Sequence, residues 1–76
     1  MQMNKAVAAV VRELRQKSGI SQEKLADVID SHQVYISEIE NGKKIPSLPI
    51  LYKIARGLGI SLSDIIMRIE NKIDEK

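Results

Sequence analysis

The sequence predicts an all-α fold: a compact bundle of five helices forming a single domain over residues 1–76. Three observations carry this expectation. Apolar residues recur three and four positions apart instead of alternating, which is the helical period. Serines and glycines interrupt that period at helix-length intervals, as caps and stops do. With no cysteine, the chain has neither a disulfide framework nor a thiolate metal site. A domain near the lower size limit for an unaided core must then rest on hydrophobic packing, helped by a partner subunit.

The first helix is expected from about Lys5 to Lys17, with Val7, Val10, Val11 and Leu14 on one stripe and Gly19 as its stop. Ser21 caps a short second helix, Gln22 to Ile29, which places Glu23 in the first turn and turns Leu25, Ala26 and Ile29 inward. Asp30, Ser31 and His32 favour turns and caps, and they separate it from a third helix at about Gln33 to Asn41 carrying Ile36 and Ile39 inward. Asn41-Gly42 suits a left-handed cap, and Lys43 to Ser47, with Pro46, forms a loop. Pro49 is tolerated only in a first turn, so the fourth helix starts near Leu48, buries Leu51, Ile54, Ala55 and Leu58, and stops at Gly59. Ser61 with Asp64 resembles a capping box and opens a fifth helix, about 62–73, ahead of a frayed tail Asp74-Glu75-Lys76. The second and third helices are too short to stand alone, so residues 21–42 read as a helix-turn-helix held by its neighbours.

The net charge of +2 is compatible with nucleic acid without arguing for it; its distribution says more. From Ser21 to Gly42 only Lys24 is basic, against Glu23, Asp27, Asp30, Glu38 and Glu40, while Arg12, Arg15, Lys17, Lys43, Lys44, Lys53 and Arg56 flank that segment. Phosphate attraction must then come mostly from the flanks. The N-terminal stretch is too short and polar for a membrane span or signal peptide, and the composition suits a reducing cytoplasm. His32 is the lone histidine, without metal-spaced partners, and no nucleophile and base stand at a catalytic spacing. The reading is therefore of a non-enzyme needing neither metal nor cofactor, with His32 capping a helix or meeting a DNA edge.

The run Arg12-Glu13-Leu14-Arg15, then Gly19 to Ala26, Ile36 to Lys43, Pro46-Ser47-Leu48 and Leu51 to Ser61 resembles the lambda-repressor-like (Cro/C1, XRE) helix-turn-helix family over about Val11 to Ile66. Within it, His32-Gln33-Val34-Tyr35-Ile36-Ser37 looks most like the controller proteins of restriction-modification systems. Gln33 and Val34 depart from the Arg and Thr common there, and Asp30 stands where the family places Gly in the turn. The resemblance implies a regulator of double-stranded DNA. Gln33 would pair with adenine N6 and N7, Val34 would meet a thymine methyl, and Ser37 and Glu38 would lie further along the same face, Glu38 accepting from cytosine N4 or held off the DNA. Gln22, Tyr35, Asn41, Lys43 and Lys44 would contact phosphate, and Arg15 with Glu40 would form a partly buried ion pair between the first and third helices.

Leu62, Ile65, Ile66, Ile69 and Ile73 give the fifth helix more apolar surface than a last helix needs for its own core. Packing claims some of it. Ile69 and Ile73, with Ile65 and Ile66, are expected to form a homodimer seam, which would let two recognition helices read successive major grooves of a palindrome. A regulator of this kind blocks or recruits RNA polymerase according to where its site lies. Two alternatives stay open: an antitoxin-type regulator, and a protein-interaction module with a vestigial DNA face.

Overall fold

The structure, a computed structural model, describes residues 1–75. Three serines start helices. Ser21 Oγ accepts from the Lys24 N–H at 3.0 Å, Ser47 Oγ from Ile50 at 3.4 Å and Ser61 Oγ from Asp64 at 3.0 Å, each satisfying a donor that the first turn would leave free. The five helices are α1 (Met3–Ser18), α2 (Gln22–Val28), α3 (Gln33–Glu40), α4 (Leu48–Gly57) and α5 (Leu62–Asp74), with no strand among the described residues. Gly19, left-handed at φ 72°, ends α1, and Pro49 lies in the first turn of α4. His32 precedes α3 but makes no side-chain cap.

α1 is the spine of the bundle: it packs along α3 on one side and α5 on the other, while α2 lies across α3 and α4, and α4 meets α5. Val10, Val11, Leu25, Ile29, Ile36, Ile39, Ile54 and Ile65 are fully buried between these layers. Burial of each such aliphatic side chain contributes roughly 1.5–3 kcal/mol. α1 begins two residues before Lys5, and α5 continues through Asp74 instead of fraying there. The Met1 ammonium donates to the Ile73 carbonyl oxygen at 3.3 Å, tying the two ends together. Lys76, the last residue of the expected tail, lies outside the described residues.

One part of the proposed seam is corrected by the packing of α1 and α4 against α5. Ile65 is fully buried and Ile69 is 6% exposed, so both belong to this chain's own core and are not surface residues. Ile73 packs partly against that core, and Ile66, one helical step off the buried stripe, is exposed.

Between α2 and α3 the chain turns through Asp30 at φ 57°, among the described residues the only non-glycine at positive φ. The Ser31 N–H donates to the Ala26 carbonyl at 2.8 Å and closes the end of α2 over this residue. The turn thus keeps the left-handed geometry that glycine supplies without a Cβ penalty. Replacing Asp30→Gly should raise stability by about 0.5 kcal/mol after glycine's larger unfolded-chain entropy is subtracted, or about 3 °C in thermal midpoint. A lower midpoint for the variant would mean that the Asp30 side chain itself stabilises the turn.

Candidate nucleic-acid interface

The inner side of α3 is fixed by a charge. Glu40 is 3% exposed, which a carboxylate tolerates only when its lone pairs are occupied. Arg15 Nε donates to Glu40 Oε2 at 2.6 Å and Nη2 to Oε1 at 3.0 Å, a bidentate pair, while Gln22 Nε2 donates to Oε1 at 3.1 Å. Arg15 also donates from Nη1 to the Ile20 carbonyl at 2.9 Å, and its hydrogen bonds to Glu40 hold the guanidinium above its ordinary pKa. Arg12 adds a further tie, donating from Nη2 to the Glu40 carbonyl oxygen at 2.9 Å. One carboxylate therefore joins α1, α2 and the end of α3.

The outer side of α3 is left free. Val34 is 69% exposed, Gln33 is exposed, and Ser37 and Glu38 are half-buried on the same flank. With Gln22, Asn41 and Lys43 these side chains line one open groove, which brings seven of the residues singled out from sequence onto a single surface. Gln33 Nε2 lies 3.5 Å from Gln22 Oε1, linking the exposed amide at the start of α3 to the buried pair behind it. Tyr35 and Lys44 stand to one side. Lys44 Nζ is 3.4 Å from Glu38 Oε1 and 5.9 Å from the centre of the Tyr35 ring, and that ring is half-buried against the core. Lys43 makes no ion pair among the described residues.

Sequence reasoning placed Arg12 in the charge balance and in the family motif without giving it a partner, and gave Asn4 no role. Both act across long stretches of chain, Arg12 over 28 residues and Asn4 over 38, and no local pattern marks such partners. It also missed an apolar groove on another face, where Met3, Ile45, Leu48 and Ile66 gather beside the half-buried Ile73. An isoleucine in a loop after two lysines was the available signal.

A capped helix, a left-handed turn and a second helix with its polar flank turned to solvent define a helix-turn-helix domain. Residues 11–65 match the HTH_3 family model, described as helix-turn-helix, and the chain belongs to that family. It is similar to control protein C.MunI of Mycoplasma sp, 47% identical over 58 residues that span 76% of this chain and 78% of that protein. It is also similar to control protein C.BamHI of Bacillus amyloliquefaciens, 46% identical over 57 residues, 74% of this chain and 70% of that one. The restriction-modification controller protein C.Esp1396I, solved as a tetramer with its natural 35 base-pair operator, superposes with a TM-score of 0.86 at 25% identity, covering 99% of each chain. The expected fold and the likeness to controller proteins are both borne out. Among the described residues no helix is long and apolar enough to cross a membrane.

Proposed function

We propose that the protein is a cytoplasmic, sequence-specific DNA-binding regulator of the restriction-modification controller type, not an enzyme, acting as a homodimer on a palindromic operator. The observation that carries this reading is the exposed flank of α3, which stands clear of the core on a helix anchored from behind through Glu40. In this reading Gln33 reads adenine, Val34 a thymine methyl, and Ser37 and Glu38 the next bases. Gln22, Tyr35, Asn41, Lys43 and Lys44 contact phosphate, and Lys43 is the stronger lysine anchor because Lys44 must first leave Glu38. RNA polymerase is blocked or recruited according to where the operator lies.

The same reading seats a second copy of the chain on the apolar groove. Met3, Ile45 and Leu48 are each more than half exposed and Ile66 is 42% exposed, a contiguous patch that a monomer would leave in water. The loop that carries Lys43 and Lys44 continues directly into Ile45, so a partner on the groove adjoins the DNA face and can set two α3 helices on one side of a duplex, about 34 Å apart. Of the residues first assigned to this seam, Ile66 and Ile73 remain.

Selection of bound fragments from random duplexes supplies the operator, and Gln33→Ala is then tested on it. Discrimination at one base pair in each half-site should relax by roughly 1–3 kcal/mol while other positions hold. Equal weakening on every sequence would remove Gln33 from readout. A salt series tests one alternative, because an interaction module shows almost no binding even at low salt; an antitoxin-type regulator shares the log-linear fall in affinity and is told apart by binding a toxin.

A further inference from the structure

The turn that follows α3 is held from two directions. On its own side the Gly42 N–H donates to the Ile39 carbonyl at 3.1 Å, and the Lys43 and Lys44 N–H groups both return to the Glu38 carbonyl, at 2.9 and 3.3 Å. From the far side Asn4, half-buried in the first turn of α1, donates from Nδ2 to the Gly42 carbonyl oxygen at 2.8 Å. Gly42 takes φ 75°, a conformation glycine adopts without strain, and a Cβ placed there would lie at ordinary van der Waals distance, 3.5 Å, from Asn4 Nδ2, so the two residues are in direct contact.

We infer that Asn4 is a positioning residue for DNA binding: it fixes the backbone at Gly42 from which Lys43 is aimed at a phosphate. The inference rests on the DNA-binding function proposed above. A lysine is a compact charge on a flexible stem, so its contribution depends on how much of its freedom is already lost before binding. Holding the residue before it lowers that cost. The arrangement has a diagnostic property. Salt dependence counts the phosphates that cations neutralise, and Asn4 is uncharged, so its removal leaves the net charge of +2 in place. A change in salt slope on mutating Asn4 must therefore be transmitted through a neighbouring cation, and a residue that merely stabilises the fold would not produce one.

The full chain is measured on its selected operator and on a scrambled duplex across a salt series, as the parent, Asn4→Ala, Asn4→Ser and Lys43→Ala, and as each Asn4 variant combined with Lys43→Ala. Melting and sedimentation are followed in parallel. Asn4→Ala should weaken both duplexes by about tenfold and flatten the salt slope by about one per half-site, with folding and association unchanged. Lys43→Ala should flatten the parent's slope similarly and add little once Asn4 is gone. An unaltered slope in Asn4→Ala, additive effects of the two substitutions, or affinity loss that merely follows unfolding of both Asn4 variants would each overturn the inference. A parent that binds neither duplex, or binds without salt dependence, would instead bring down the DNA-binding function, and the inference with it.

Discussion

Glu40→Ala should lower the stability of the domain by about 3 kcal/mol, which for a chain of this size is a fall of roughly 15–20 °C in thermal midpoint. The size of the effect follows from what is left behind. Removal of the carboxylate strands the Arg15 guanidinium, whose side chain is only 13% exposed, and deprives Gln22 of its acceptor. The net worth of the pair is smaller than the cost of breaking it, because two charges had to be taken out of water to form it. The double replacement Arg15→Met with Glu40→Leu should therefore recover much of the loss. Its DNA affinity should stay low, since nothing then holds the Gln22 amide behind Gln33. A midpoint for Glu40→Ala within a few degrees of the parent would show that water reaches the pair and that it does not organise the domain.

Loss of the proposed seam should cost operator affinity at least 100-fold, the usual scale on which two tethered half-site contacts exceed one. Leu48→Lys and Ile66→Lys place a charge in the apolar groove without touching the core, since both side chains are exposed in the single chain. Lysine is chosen deliberately: an added positive charge attracts DNA, so weaker binding cannot be charged to repulsion. Sedimentation should move to the monomer while the melting curve stays cooperative. Dimers that persist in both variants would place the interface elsewhere. Ile69→Lys is unsuitable, because at 6% exposure that side chain sits in the core and its replacement would unfold the domain.

Much of this molecule was legible in the sequence because the signals are local. Ser21, Ser47 and Ser61 each cap a helix through an amide three residues on, and the spacing of Val7, Val10, Val11 and Leu14 identifies the buried side of α1 without reference to any partner. What periodicity omits is which helix covers a given stripe. Leu62, Ile65, Ile69 and Ile73 share one side of α5, but that Ile69 goes inside depends on how α1 and α4 pack against it, which no local pattern in α5 announces. The polar frame was harder still. Asn4 meets Gly42 and Arg12 meets Glu40 only after the chain has folded, and neither asparagine nor arginine marks its partner in advance. The residues of the proposed readout surface were named from their places on α3, and the structure adds that Gln33 lies 3.5 Å from Gln22, whose amide bonds the buried Glu40.

The division of labour across α3 bears on how such proteins diverge. Ile36, Ile39 and Glu40 are fully committed to the interior, whereas Val34 donates nothing to it and Ser37 and Glu38 only a little. Amino-acid drift at the outward positions is then almost free of thermodynamic consequence. On the proposed readout, paralogues that share this scaffold would address separate promoters, and a laboratory library that varies 34, 37 and 38 among residues other than proline and glycine should stay folded in most clones.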